Sequence, residues 1–222
     1  MANLILIACK NDVNNTKLID HKEEIENTEV MIKQNKMTYL NLVELWKGNA
    51  NGQFSISKKI DEFEFISIYK PYSILLLEEV DTLNLNQLVT DQFKTKTNQY
   101  NTMHFFNFTI KNASFKHELI KLNTTDNQMY YDRIAYYSFA SKNDTYVVED
   151  LDTLKCDFVN FERTFDANPS IMLSFGFTRK SKLTNYKKLT FVFEDKIFNK
   201  GRLNFNFDTQ PIILLNYLKP LS

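Results

Sequence analysis

Two segments of this chain alternate without a break between large apolar and polar residues: Phe106-Asn107-Phe108-Thr109-Ile110 and Leu203-Asn204-Phe205-Asn206-Phe207. In an extended strand successive side chains leave opposite faces, so each segment has one apolar and one polar face. A helix, with its period of 3.6, would scatter the same residues around its circumference. The chain must therefore bury the apolar faces of several strands against one another. Its 19 Phe and 11 Tyr, within an aromatic fraction of 14%, supply side chains that suit such half-buried surfaces.

The same reading extends along most of the chain from Thr38 onward. Strands are predicted at 39–46, 53–58, 63–69, 72–79, 103–110, 114–121, 129–139, 145–149, 171–178, 188–194, 202–207 and 211–217. The run Ile74-Leu75-Leu76-Leu77 is continuous rather than alternating, as in a strand buried on both faces. Pro71 lacks the ladder donor and separates Tyr69 from Ser73. Asn199-Lys200-Gly201 and Thr209-Gln210-Pro211 punctuate the C-terminal hairpins. Residues 90–101 hold no Gly or Pro and much Thr, Gln and Lys, which marks an exposed connection. Long, non-repeating connections favour a jelly roll or Greek key over a meander. The expected architecture is an all-β, jelly-roll-like β-sandwich over residues 38–222, with any subdivision near 81–101.

Residues 1–37 differ in texture. A short apolar run at 4–8 leads into a polar segment at 10–17, and Asp20 followed by Glu23 resembles a capping-box helix start. They are expected to form an N-terminal arm or short helix.

A length of 222 residues suits one large β domain or two small ones, and 43% apolar residues suffice for a core. The 27 basic and 27 acidic residues balance, without the basic excess by which nucleic-acid binders release phosphate counterions. The nearest approach, Arg179-Lys180-Ser181-Lys182 with Lys187-Lys188, reads as a solvated loop. Cys9 and Cys156 have neither metal nor redox spacing and read as reduced thiols made in a cytoplasm. The run Leu4-Ile5-Leu6-Ile7-Ala8 is shorter than a signal h-region or a membrane span, and no basic residues precede it. Neither a nucleic-acid nor a membrane partner is expected.

Chemistry-bearing patterns are few. If strands 103–110 and 114–121 paired as a hairpin, His104 and His117 would lie near each other, but zinc requires three or four ligands and the rest are missing. Glu149, Asp150 and Asp152, near Asp144, could gather oxygen ligands for calcium, yet the EF-hand pattern and its glycine are absent. A solvated strand end is the simpler account. No Gly-x-Ser-x-Gly elbow, P-loop or dinucleotide fingerprint occurs. Gly176, between Phe175 and Phe177, marks a bulge or close packing. No catalytic residue, cofactor or metal is expected, and the chain reads as non-enzymatic. The remaining handle is aromatic: Trp46, Tyr72, Tyr100, Tyr130-Tyr131 and Tyr136-Tyr137, whose planar faces and polar tips suit interfaces or sugar stacking. An adjacent Tyr pair on a strand puts one ring on each face.

Leu45-Trp46-Lys47-Gly48, the Asn51-Gly52 turn, a short strand ending at Ile60 and then Phe63-Glu64-Phe65-Ile66-Ser67-Ile68-Tyr69 resemble the opening hairpins of β-sandwich modules in bacteriophage tail and fibre proteins. The resemblance covers residues 42–70. It implies a virion structural protein made in a host cytoplasm: a fibre, head-decoration or tail-associated subunit. Such a subunit would form a homo-oligomer, with a trimer favoured, and contact other virion proteins and a host-surface glycan. The chain departs from long fibres in being short and in lacking a Gly-rich shaft. The alternative reading is a carbohydrate-binding, lectin-like module that uses Trp46, Tyr72 or Tyr100 as a stacking platform.

Overall fold

The computed structural model describes residues 54–78, 95, 99–180, 187–209 and 212. All of them belong to a compact unit spanning Tyr39–Ser222. The expected N-terminal arm, Trp46, the Asn51-Gly52 turn, the strand at 39–46 and nearly all of the one at 211–217 lie outside the described residues.

Among the described residues, nine strands form two antiparallel sheets. The first contains β1 (Ser55–Ile60), β2 (Phe63–Lys70), β3 (Met103–Asn112), β7 (Ile171–Thr178) and β6 (Phe158–Glu162), in the order β1-β2-β3-β7-β6. The second contains β5 (Asp152–Lys155), β4 (Thr145–Glu149), β8 (Leu189–Asp195) and β9 (Gly201–Phe207), in the order β5-β4-β8-β9. The all-β sandwich is thus the observed fold. Register aligns the apolar faces: Phe65 pairs with Ile110, Tyr69 with Phe106 and Phe106 with Phe175, while Phe191 pairs with Phe205 in the second sheet.

Phenylalanine fills the space between the sheets. Phe106 meets Phe191 across the interface at 4.9 Å between ring centroids, and Phe108 meets Phe193 at 4.7 Å. Phe106, Phe108, Phe191 and Phe193 are all at most 1% exposed. Each such ring removes a large apolar surface from water, and offset or tilted contacts between rings add to that gain.

Three predicted strands are not strands. Residues 72–78 form α1 (Tyr72–Glu78), opened by the Pro71 carbonyl, which accepts from the Ile74 and Leu75 N–H groups. A short continuous apolar run carries no periodicity, so the start signal decides, and proline's fixed φ is compatible with a helix entry. Most of 114–121 is irregular and ends in a single 3₁₀ turn at Leu119–Lys121. The Asn112 carboxamide accepts from the Ser114 and Phe115 N–H groups and so turns the chain out of the ladder. The hairpin that would have brought His104 to His117 is therefore absent. Residues 129–139 fall on α2 (Asn127–Ala135) and the π turn that follows it, Tyr136–Ala140. Asp126 caps α2 by accepting from the Met129 N–H at 2.8 Å. Strands β5 and β6 were not foreseen.

Candidate functional site

Two polar networks stand out in the sandwich. The first lies inside it. His104 is the second residue of β3 and faces inward, while Glu149 ends β4 with its side chain turned to the same interior. His104 Nδ1 is 3.3 Å from the Tyr69 hydroxyl, and Nε2 is 3.6 Å from Glu149 Oε2. Tyr69, His104 and Glu149 are 1%, 0% and 3% exposed. The tautomer that suits this geometry has Tyr69 donating to Nδ1 and the Nε2–H facing the carboxylate. Burial pushes the His104 imidazole down to about 4, outweighing the raising effect of its contact with Glu149, and nearby Arg179 lowers it further. The ring is neutral at neutral pH, and it joins a phenol of one sheet to a carboxylate of the other.

This network corrects two expectations. Glu149 was grouped with Asp150 and Asp152 at a solvated strand end, but its carboxylate is interior while the other two are exposed. Arg179 was placed on a solvated loop and is 8% exposed, its N–H bonded to the Thr102 carbonyl.

The second network reaches the surface. Glu118 precedes the 3₁₀ turn, Tyr130 lies on α2, and Arg163 follows β6. The Tyr130 hydroxyl donates to Glu118 Oε2 at 3.0 Å, and Arg163 Nη2 donates to the same hydroxyl at 2.8 Å. Arg163 Nη2 also lies 3.8 Å from Glu118 Oε1. Glu118 is 4% exposed; its Oε1 and the Arg163 Nε have no hydrogen-bond partner among the described residues. Burial, and then the bond to Glu118, push the Tyr130 phenol upward.

Local chemistry holds these groups in place. Arg133 on α2 donates through Nη1 to the Ile120 and Leu122 carbonyls, which fixes the helix against the segment carrying Glu118. Asp166 accepts from the Glu118 N–H at 2.7 Å and from Lys121 Nζ at 2.6 Å. Those two bonds hold the Asp166 carboxyl below its ordinary value. The loop is closed by Thr164, whose hydroxyl donates to the Asn168 carbonyl, and by the Asn168 carboxamide, which accepts from the Ser170 N–H.

At the top of this corner sits Phe165. It is 68% exposed and adopts φ +46°, followed by Asp166 at φ +66°. A bulky residue in the left-handed region is an outlier that costs about 1 kcal/mol or more and persists only where its surroundings enforce it. Here one face of the Phe165 ring lies 4.2 Å from the Arg163 guanidinium carbon, a cation–π contact. The remaining surface of the ring is presented to solvent.

The candidate aromatics fare differently. Tyr72 is 5% exposed in α1 and is no platform; burial pushes its phenol upward. Tyr100 is half-buried edge-on against Phe105, ring centroids 5.5 Å apart. Neither Tyr pair divides cleanly between core and solvent as a strand would divide it: on helical geometry Tyr130 is half-buried beside an exposed Tyr131, and Tyr136 is half-buried beside a wholly buried Tyr137. Glu118, Arg163 and Phe165 went unnoticed in the sequence. The turn-forming cluster Asp166, Asn168 and Pro169 was the available signal for the loop. Among the described residues no group of three or more His, Cys, Asp or Glu is placed to hold a metal ion, and no helix is long and apolar enough to cross a membrane.

No family model and no curated protein matches the chain. Among solved structures it is similar to a DUF4426 family protein from Pseudomonas aeruginosa, at 7% identity and a TM-score of 0.34, covering 70% of this chain and 92% of that one.

Proposed function

We propose that this β sandwich is a non-enzymatic binding module whose Phe165 corner receives a carbohydrate. The observation that carries the reading is Phe165 itself, an exposed ring held at φ +46° and backed by Arg163. Strain of this kind has to be compensated by its surroundings, and a ring so placed in solvent earns nothing for the core. The flanking charges pair within the corner, Glu118 with Arg163 and Asp166 with Lys121. An uncharged ligand with an apolar C–H face and peripheral hydroxyls fits a ring bordered by balanced donors and acceptors. The lectin-like alternative is thereby preferred, on a different set of residues from Trp46, Tyr72 and Tyr100. No specific observation among the described residues favours the virion-subunit reading or a trimer over it.

A glycan array probed with the wild-type chain, Phe165→Ala and Tyr100→Ala tests this. Retention of a glycan class by the wild type and Tyr100→Ala, weakened at least ~10-fold in Phe165→Ala, is expected for loss of one stacking platform. Absence of retention by the wild type, or equal retention by Phe165→Ala, overturns the reading.

A further inference from the structure

We propose that the Phe165 corner is one end of an extended site, with Tyr131 as its second platform, and that its ligand is an oligosaccharide of several rings rather than a single sugar. This rests on the carbohydrate reading above and gives that reading a ligand class. Tyr131 is 61% exposed on α2, next in sequence to the Tyr130 that donates to Glu118. One exposed aromatic residue is ordinary on a protein surface. What sets Tyr131 apart is what its ring touches.

Four groups form an unbroken row. The Tyr131 ring meets Tyr130 edge-on, with centroids 5.4 Å apart. The Arg163 guanidinium carbon lies 6.0 Å from the Tyr130 centroid and 4.2 Å from that of Phe165. The middle members, Tyr130 and Arg163, are half-buried and hydrogen-bonded to each other. The end members are the exposed ones, Tyr131 at 61% and Phe165 at 68%. A helix and the loop after β6 thus each supply one exposed ring to the same row.

Both ends are held before any ligand arrives. α2 is capped by Asp126 and pinned through Arg133 to the Ile120 and Leu122 carbonyls, so Arg133 faces inward and Tyr131 outward. Phe165 is fixed by its backbone and by Arg163. Rings ordered in advance lose little freedom on binding. The positive charge in the middle of the row is answered by Glu118, 3.8 Å from Arg163, so the row needs no anionic ligand. Gln128, three residues before Tyr131 and on the same helix face, donates to the Asp132 carboxylate at 2.8 Å. Both are exposed and supply polar groups for sugar hydroxyls at that end. A monosaccharide covers one ring only. A chain of sugars that stacks on both makes its second contact at the effective concentration set by its own linkage. Affinity therefore rises at the chain length that first reaches both rings and levels off beyond it.

The test applies the full chain to immobilised glucan, mannan, xylan and chitin fragments graded from monosaccharides to hexasaccharides. The wild type should hold the long fragments of at least one series ~10-fold or more tightly than the shortest. Tyr131→Ala should hold the short fragments as the wild type does and lose the gain with length. Tyr131→Phe keeps the ring and should keep the gain, and Phe165→Ala should weaken every length. Retention that is independent of length in the wild type but lost in Phe165→Ala overturns the extended site and leaves the carbohydrate reading standing. A gain with length that Tyr131→Ala retains in full does the same. Failure of the wild type to hold any fragment overturns both.

Discussion

The His104 network and the Glu118 network use similar parts to opposite ends. Each sets a phenol and a basic side chain around a buried carboxylate: Tyr69, His104 and Glu149 in one, Tyr130, Arg163 and Glu118 in the other. In the first, every member is at most 3% exposed, and the atoms link strands of the two sheets. In the second, the carboxylate is equally buried, but the network continues through Arg163 to a ring in solvent. A polar cluster alone therefore does not mark a site. What distinguishes the second is its connection to an exposed, strained residue.

The sharpest contrast between interior and corner comes from truncation. Phe108→Ala, which removes a ring 0% exposed and stacked on both sheets, should cost about 3–5 kcal/mol in urea unfolding. Phe165→Ala should cost under ~1 kcal/mol by the same measure, because its ring buries little. Equal losses would mean that the corner is part of the core.

Acid separates the networks next. His104 is held at about 4 in the folded state against an ordinary 6.5. Between those values the unfolded chain takes up a proton that the native chain does not, so stability falls as pH drops. The loss should reach about 3 kcal/mol on going from pH 6.5 to 4. His104→Gln should remove that part of the slope in melts across this range, and an unchanged slope would show that the imidazole is not the titrating group.

Tyr130→Phe probes the corner's own bonding. It deletes the donor to Glu118 Oε2 and the acceptor for Arg163, and about 1–2 kcal/mol of stability should go with it. A neutral result would mean that solvent or Lys121, 3.6 Å from Glu118 Oε2, replaces the phenol.

The smallest stability effect is expected from Phe165→Gly. Glycine relieves the positive φ, by about 0.5–1 kcal/mol, while the lost Arg163 stacking subtracts a similar amount. Unfolding should stay within ~0.5 kcal/mol of wild type while glycan retention disappears. A variant that both unfolds early and binds weakly would place Phe165 in the framework instead.

Much of the sandwich was legible because its strands alternate. β2, β3, β4, β7, β8 and β9 fall within two residues of the predicted spans at each end. The failures share a cause: local caps outweighed β propensity. The apolar run 74–77, the Tyr-rich stretch at 129–139 and the segment after Asn112 all contain strand-favouring residues. Their conformation was decided by Pro71, Asp126 and Asn112, single residues just ahead of each. The corner was harder still to read. Glu118 and Arg163 are 45 positions apart in the numbering, and nothing in either neighbourhood announces the other. Only α2, docked through Arg133, brings Tyr130 between them. The buried pairing of His104 with Glu149 was equally hidden, since charge on a strand end normally faces water.

Position 165 also offers a test by descent. For folding alone, a left-handed backbone angle at an exposed site favours Gly or Asn, and random substitution would drift there. An aromatic residue kept at this position across descendants would mean that something other than stability holds it. The same turn occupied by Gly in one lineage would mark the branch on which the proposed stacking ring was given up while the sandwich beneath it went on folding.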